Sequence, residues 1–427
     1  MIKKLFIIGL LFLAPYAHAS YQLLTAVSTD SPSSTSNESL MPVGTSAWTN
    51  LTVRATCRVT NRTTLTNLRI VADSAPENGA GTQSYQFNVM TNAGTSALTA
   101  TLSETNTLVN DLTNSVVVEA GELFYYQAIP SGTPASLTRV SLSVLANGTV
   151  AKDLFYCSTS NGQATGSGAT EYLSLAFPQQ SSTIESAFHV VMPVSGAFSQ
   201  LSINLGNAPN NGAGTQGYTW VVNKNMSATA LTCSITESDL ACSDTSNSFT
   251  VVAGDRVSVK MTKTGSPVTV IINTIGLRFT VDTDGQFPIF DSTGNTQLDP
   301  VASRYTPIHG GLVSATEAAV DQVSQALMLK NMYVYLSGCI TTACATEIEP
   351  PFKSYSFSNK VNGISNALNC TISGGSGTHR SCNVTTDITI AAGDLLNNHI
   401  VPSNEPIGRN ATISYLGAIT QNPRRRW

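Results

Sequence analysis

Short alternations of apolar and polar residues recur along the chain and predict β-strands. Tyr218, Trp220 and Val222 alternate with Thr219 and Asn223, which is the period of two expected for a strand with one buried face. Similar runs occupy residues 248–252, 256–261 and 277–281. Clusters of Gly, Asn, Asp and Pro separate the runs at intervals of roughly 8 to 12 residues, a spacing typical of β-sandwiches. The pattern therefore predicts an all-β chain.

Three landmarks recur in one order along the chain and reveal an internal repeat. They are an aromatic pair, an Ala-Leu-Thr or Ala-Leu-Asn triplet, and a turn of the type Ala-Gly-Asp or Ala-Gly-Glu. The tyrosine of the pair precedes the turn glycine by 36, 36 and 38 residues. The period of about 135 residues fits whole domains and not solenoid repeats. The members are Tyr85/Phe87 with Gly121, Tyr218/Trp220 with Gly254, and Tyr355/Phe357 with Gly393.

The repeat predicts three tandem jelly-roll-like β-sandwich domains, at residues 20–157, 171–281 and 301–427. A jelly roll is favoured because each domain has room for roughly eight short strands. Residues 158–170 are rich in Gly, Ser and Thr and predict a flexible linker, while residues 282–300 predict a second joint. Domains strung in a row in this way would make a rod or stalk.

The Ala-Gly-Asp turn, which feeds an alternating strand, resembles the late hairpin of C1q/TNF-like jelly rolls. The resemblance covers one turn per domain, so it implies a fold and no particular ligand. One segment departs from the strand pattern: residues 315–329 place apolar side chains at helical spacing. This segment predicts either a helical insertion in the third domain or an unusual strand region.

The eight cysteines all follow the predicted signal peptide and predict disulfide staples. Two pairs flank a turn at the same place in the second and third copies, and a third pair would close a short loop. The remaining two cysteines then pair by elimination and tie the start of the first domain to its end. The predicted pairs are Cys233–Cys242, Cys370–Cys382, Cys339–Cys344 and Cys57–Cys157.

The first 19 residues predict an export signal. Lys3 and Lys4 precede a short apolar stretch, and Ala17-His18-Ala19 offers small residues for cleavage before Ser20. The alternative, a membrane anchor, is disfavoured because a span needs about 20 apolar residues. We therefore expect a secreted protein, extracellular or at a cell surface, with a signal typical of bacteria.

Composition narrows the classes of partner. Only 11% of the residues are charged and the net charge is -4, which argues against helix-rich cytosolic enzymes and against nucleic acid as a partner. With 41% hydrophobic residues the chain is also unlike a disordered one.

Candidate chemistry is sparse. No zinc-protease pattern, nucleophile elbow or phosphate-binding loop occurs, and His189, His309, His379 and His399 are expected at the surface or at sandwich edges. Asp282, Asp284 and Asp291 surround a glycine turn and are the best calcium candidates, the alternative being an ordinary polar joint. The aromatic pairs could form a sugar-stacking platform, but their alternation favours core packing.

These observations predict a non-catalytic structural or adhesive protein of the cell surface or of an extracellular filament, stalk or coat. Its partners would be further copies of itself or other surface proteins. The alternative is a secreted carbohydrate-binding protein that uses jelly-roll loops, and an enzyme with a site at a domain joint is a third reading. No cofactor other than the calcium candidate is indicated.

Overall fold

The protein is all-β. The computed structural model describes residues 20–52, 55–79, 82–158, 170–176, 181–210, 212, 215–294, 296–311, 313–317, 320–337, 352–374 and 380–419. Within these ranges helical structure is limited to short turns such as the 3₁₀ turn Glu185–Ala187, and no helix there is long and apolar enough to span a membrane.

Strand pairing divides the chain into three units, each built from two facing sheets. The first unit contains β1 Ser20–Ser28, β2 Glu38–Leu40, β3 Gly44–Ser46, β4 Cys57–Arg58, β5 Thr63–Ala72, β6 Ser84–Thr91, β7 Gly94–Ser103, β8 Leu108–Val118, β9 Leu123–Ser131 and β10 Val140–Gly148. The second unit contains β11 Asp153–Ser158, β12 Thr170–Leu173, β13 Ser181–Ser182, β14 Val190–Val191, β15 Gly196–Leu205, β16 Gly217–Lys224, β17 Ser227–Thr236, β18 Ala241–Val251, β19 Arg256–Thr264 and β20 Ile272–Val281. The third unit contains β21 Gln286–Ser292, β22 Arg304–Thr306, β23 Asp321–Gln322, β24 Leu327–Leu336, β25 Ser354–Val361, β26 Ile364–Ser373, β27 Ser381–Val384, β28 Ile388–Ile390, β29 Leu395–Ser403 and β30 Ala411–Ala418.

The three units share one topology. One sheet runs β1-β10-β5-β8 in the first unit, β11-β20-β15-β18 in the second and β21-β30-β24-β27 in the third. The facing sheet contains β2-β9-β6-β7, β12-β19-β16-β17 and β22-β29-β25-β26. The short strands β4, β14 and β23 each pair with the β9, β19 or β29 of their own unit. The internal repeat is therefore a repeat of structure.

Equivalent strands also match residue by residue. β5, β15 and β24 show the same alternation of buried and half-buried positions, interrupted at the same point by a bulge. The bulge residues Asn67, Gln200 and Asn331 have φ values of 56°, 52° and 51°. Such left-handed residues let a strand skip one side chain without turning its apolar set away from the core.

The unit boundaries differ from those that the sequence predicts. Strand β11, assigned to the end of the first domain, pairs with β20 of the second unit. The predicted second joint, residues 282–300, contains β21, which pairs with β30 in the third unit. Each unit thus begins with a strand, β1, β11 or β21, of the sheet that also contains β10, β20 or β30, which we call the inner sheet. Residues 159–169 of the predicted first linker lie outside the described residues.

The helical alternative for residues 315–329 is wrong and the strand alternative holds. Asp321–Gln322 forms β23, and Leu327 begins the long strand β24. The helical spacing arises because buried Val323 directly follows the short strand β23, whereas Leu327 and Leu329 belong to the next strand and its period of two.

The repeated aromatic pairs fill the cores, as predicted. All six side chains are almost completely buried, and each tyrosine hydroxyl donates to a backbone carbonyl of a neighbouring loop. Buried tyrosines need such a partner, so the three loops are fixed in the same way in every unit. The acceptors are the carbonyl oxygens of Pro32 and Ala135, of Val268, and of Leu298 and Ile407.

The predicted turn glycines have the conformation that only glycine adopts without strain. The φ values of Gly121, Gly254 and Gly393 are 86°, 94° and 95°. Their amides donate to the carbonyls of Val59, Met192 and Val323, just after the short strands β4, β14 and β23. This repeated bond places those short strands at equivalent positions.

The three units close onto one another. Strand β4 of the first unit contacts β11 and β20 of the second, β14 of the second contacts β24 and β30 of the third, and β23 of the third contacts β1, β5 and β10 of the first. Each unit therefore docks its short strand on the inner sheet of the next, and the third returns to the first. The expected row of domains is instead a closed ring.

Candidate functional site at the unit junctions

Each of the three junctions uses the same two structural positions, one from each of the two units that meet there. One position lies on the short docking strand, where Cys57, Val190 and Asp321 each stand two residues before the carbonyl bound by the turn glycine. The other lies on the first inner strand, where Thr25, Cys157 and Phe290 pair with Ser143, Gly276 and Ser414. The chemistry at these positions differs from junction to junction.

The first-to-second junction is covalent. Cys57 of the first unit is bonded to Cys157 of the second, with 5.4 Å between their Cα atoms. Beside it, the amide of Gln22 donates to the carbonyl of Phe155 at 3.1 Å and accepts from its N–H at 3.3 Å. The predicted pairing is thus confirmed, but the bond joins two units and does not close the first one.

Two further predicted disulfides are confirmed as staples within a unit. Cys233–Cys242 and Cys370–Cys382 have Cα separations of 5.7 Å and 6.1 Å. They join β17 to β18 and β26 to β27, at matching places in the second and third units. The fourth predicted pair, Cys339–Cys344, lies outside the described residues.

The second-to-third junction combines apolar and aromatic packing with hydrogen bonds. The Thr412 hydroxyl donates to the carbonyl of His189 at 3.0 Å, and the Asn331 amide donates to the carbonyl of Pro193 at 3.5 Å. The equivalent positions hold Val190 and Phe290, both buried, and the ring of His189 meets the edge of Tyr335 with 4.5 Å between centroids. The guanidinium of Arg256 lies 5.5 Å from the centre of the Tyr335 ring. Burial lowers the pKa of His189 to about 3, helped by the nearby charge of Arg256, so the imidazole is neutral.

The third-to-first junction is polar. Asp321 has no exposed surface and accepts a hydrogen bond from the backbone N–H of His309 at 2.9 Å. The Thr25 hydroxyl of the first unit lies near this carboxyl, but neither that hydroxyl nor Asp321 Oδ1 has a hydrogen-bond partner among the described residues. Burial raises the pKa of Asp321 to about 7 and lowers the pKa of His309 to about 3. An acid and a hydroxyl thus occupy the positions that a disulfide takes at the first junction.

A second buried acid lies close to Asp321. The Asp291 carboxylate accepts hydrogen bonds from the hydroxyl of Thr306 and from the amide of Asn398, and Asn398 in turn accepts from Tyr415. Burial is the main cause that raises the pKa of Asp291, and the neighbouring Asp321 raises it further. Two buried carboxyl groups thus lie close together at the third-to-first junction.

The three calcium candidates lie in different surroundings. Asp291 is buried among hydrogen-bond donors, whereas Asp282 is exposed and Asp284 is half-buried in the turn before β21. Among the described residues no group of three or more His, Cys, Asp or Glu side chains is placed to hold a metal ion. The ordinary polar joint is the better description of Asp282 and Asp284.

The histidines are more buried than predicted. His189 and His309 lie at two junctions and not at the surface, because each belongs to a segment that one unit inserts against the next. His399 is half-buried and stacks on Tyr305 with 4.6 Å between centroids. His379 lies outside the described residues.

Cavities lie between units at several places. One of about 130 Å³ is lined by Val71 and Arg139 of the first unit and by Val320 of the third. Two others involve the second unit. The first, at the centre of the ring, is lined by Leu23, Tyr156, Phe290 and His309, and its volume of about 30 Å³ admits one or two water molecules. The second is an open cleft of about 530 Å³ between the second and third units. Its walls include Asp282, Lys330 and Asn331.

Sequence reasoning missed the junction residues Gln22, Thr25 and Asp321. The spacing does not reveal them, since Cys57 precedes Gly121 by 64 residues whereas Asp321 precedes Gly393 by 72, and only the glycine hydrogen bonds align the two. The helical interpretation of residues 315–329 also concealed the strand that carries Asp321. No protein-family model matches the chain, and no curated protein matches it in sequence.

Proposed function

We propose that this chain is an exported, non-catalytic structural or adhesive protein of the cell surface or of an extracellular assembly. The supporting observation is the closed ring of three like units, two of which expose the same pattern of positions on one long strand. On β8 and β18 the exposed positions follow the same order; β18 presents mainly Ser and Thr there, whereas β8 also exposes Leu108, Leu112 and Val117. Repetition of a weak contact surface raises overall binding strength without any new contact.

The burial of the perturbed titratable groups supports a non-catalytic role. His189, His309, Asp291 and Asp321 are enclosed at junctions, and the cavity beside His309 admits only one or two water molecules. A catalytic group needs contact with its substrate. The resemblance of the units to C1q/TNF-like jelly rolls belongs to the same proposal, at the level of fold.

Attachment of the mature chain to cells tests this proposal. We expect labelled protein to bind the surface of the producing cells or to enter their extracellular material, and single amino-acid changes that leave the ring folded to have small effects. A chain that binds neither cells nor extracellular material would contradict it.

A second function, carbohydrate binding, is favoured by the cleft between the second and third units. Its volume of about 530 Å³ lies in the range of small-molecule sites, which often occur between domains. Asp282, Asp387 and Asn331 offer hydrogen-bonding groups there, Lys330 lies 3.9 Å from Asp387, and Leu416 adds an apolar wall. Such a surface suits a neutral ligand with many hydroxyl groups.

A glycan array distinguishes the two functions. Carbohydrate binding predicts a restricted set of glycans, with signals that fall at least tenfold in a variant combining Asp387→Ala and Lys330→Ala. The matched control changes Glu119 and Arg62, an exposed ion pair at 2.9 Å in the first unit and away from the cleft. An empty array, or equal loss in both variants, would exclude the cleft as a glycan site.

A further inference from the structure

The cavity between the first and third units is a candidate site that the proposed function does not use. Its volume of about 130 Å³ gives room for several water molecules or for one small organic molecule. The first unit lines most of it, where β5 ends and β10 begins, and Val320 of the third unit closes it. It lies at a different junction from the open cleft, whose walls come from the second and third units.

Strand alternation determines which side chains of the first unit face this cavity. Val140, at the start of β10, is buried in the core of the first unit. Its neighbours Arg139 and Ser141 therefore point to the opposite face, because successive side chains of a strand alternate. Val71 of β5 pairs with Ser141, and Asp73 lies opposite Arg139, so all four line the cavity from one side.

The hydroxyl of Ser141 is a buried group without a partner. The residue is only 4% exposed, and among the described residues nothing hydrogen-bonds to its Oγ. A buried hydroxyl that stays unpaired costs free energy, and a polar ligand in the cavity would remove this cost. Because a hydroxyl can donate, it suits a ligand oxygen that carries negative charge.

Arg139 and Asp73 place two opposite charges on the same wall. Their backbones are neighbours, since the Arg139 N–H donates to Asp73 Oδ1 at 3.1 Å and the Asp73 N–H donates to the Arg139 carbonyl at 3.2 Å. Their side chains nevertheless form no ion pair with each other or with any other described residue. The wall therefore offers a guanidinium, which binds a carboxylate through two parallel hydrogen bonds, and a carboxylate, which attracts an ammonium group.

The rest of the lining is apolar. Val27 and Val71 of the first unit and Val320 of the third contribute side chains that have no hydrogen-bonding group. Such walls are favourable surroundings for a short hydrocarbon chain, which leaves water when it enters. The small volume excludes a long chain or a peptide.

We propose that this cavity binds a free α-amino acid with a short apolar side chain, such as valine. The ligand carboxylate accepts hydrogen bonds from the Arg139 guanidinium and the Ser141 hydroxyl, and the ligand ammonium group faces the Asp73 carboxylate. The side chain of the ligand packs against the valines of both units. This site adds a ligand to the proposed structural function and does not depend on it.

Both charges of the ligand are needed. A carboxylate without an amine would bring a second negative charge to Asp73, and an amine without a carboxylate would bring a second positive charge to Arg139. Each wall charge thus opposes a ligand that has only one of the two groups. Because the site is complete only while the third unit lies against the first, the bound ligand also stabilises this junction by mass action.

Three probes of nearly the same shape test the proposal. Valine carries both charges, isovalerate lacks the amine, and isobutylamine lacks the carboxylate. We expect a ligand-observed NMR titration of the wild type to show saturable binding of valine, and affinities for the other two that are lower by about tenfold or more. The Tm of the protein should rise more with valine than with either of the others.

Single variants assign the roles of the wall residues. Arg139→Gln should lower the affinity for valine by about tenfold or more, and Ser141→Ala by about fivefold. Asp73→Asn should lower the affinity for valine and not that for isovalerate, so that the preference between the two disappears. Arg62→Gln is the matched control, an exposed arginine of the same unit that pairs with Glu119, and should leave valine binding within about twofold of the wild type.

The absence of saturable valine binding to the wild type would overturn the site. So would equal affinities for valine and isovalerate, or an Arg139→Gln variant that binds valine as tightly as the wild type does. If Arg139→Gln fails to fold, the valine preference of Asp73→Asn decides, since Asp73 is exposed and its replacement leaves the core unchanged. Cell attachment by a variant that has lost valine binding would leave the proposed function standing.

Discussion

The first-to-second and third-to-first junctions use the same strands and the same two positions, but opposite chemistry. Cys57 and Cys157 form a disulfide at one, whereas a buried carboxyl, Asp321, lies near the Thr25 hydroxyl at the other. The bond holds under any pH that leaves the units folded. Burial raises the pKa of Asp321 to about 7, so the stability that its protonated form contributes is lost as the pH rises through that value. The comparison shows that a threefold repeat within one chain lets each junction have its own stability.

The two junctions also differ in how they accommodate buried ionisable groups. The first unit covers its junction strand with the second unit and shields a disulfide, which carries no charge. The third unit buries Asp321 and Asp291 together, and each carboxyl is held by hydrogen bonds and not by a cation. Such groups remain neutral at low pH and cost stability once ionised.

Loss of the Cys57–Cys157 bond should have the largest effect. It closes a loop with a sequence separation of 100, so replacing both residues with Ala should lower the free energy of unfolding by about 4 to 5 kcal/mol. The matched control replaces Cys233 and Cys242, separated by 9, and should cost about 2.7 kcal/mol. Urea unfolding without reductant measures both. Equal losses would contradict the role of the first bond as a link between units.

Acid should act on the second-to-third junction. The pKa of His189 is about 3 in the folded protein, below its ordinary value of 6.5, so the stability of the neutral form is present above 6.5 and lost as the pH falls. His189→Phe keeps a ring against Tyr335 without a proton to gain. Between pH 6.5 and about 3, we expect the wild type to lose about 1.4 kcal/mol more of its unfolding free energy per pH unit than the variant does.

Chemical denaturation at a series of pH values checks this expectation. His399→Phe is the control, since that ring is only half-buried and should change the pH dependence less. Parallel pH profiles for wild type and His189→Phe would show that this junction does not sense acid.

The turn glycines give a smaller effect and test the equivalence of the copies. Gly254→Val should cost about 1 to 3 kcal/mol through the backbone alone, because a Cβ there has no heavy atom within 4 Å. Gly393→Val should cost slightly more, since its Cβ would lie 3.3 Å from the Arg69 side chain of the first unit. Thermal unfolding compares the two, and a variant that melts like wild type would refute the turn assignment.

The sequence alone predicted the features that the units share and missed the contacts that join the units. Strand period, aromatic pairs, turn glycines and cysteine pairs are local or recur at a fixed spacing, so they are readable. The assignment of β11 to the second unit could not be predicted, because the sequence of Asp153–Ser158 indicates a strand but not the sheet to which that strand belongs. The buried state of Asp321 and His189 depends on a neighbouring unit, which no local pattern contains.

The central claim is that the third unit docks on the first as the first docks on the second. Cysteines introduced together at Thr25 and Asp321 test it most directly, since they occupy the places of Cys157 and Cys57. Non-reducing peptide mapping of the secreted single chain should find these two residues bonded to each other, with the Cys57–Cys157 bond intact. Free thiols at both positions, or bonds only between different chains at every concentration, would contradict a closed ring.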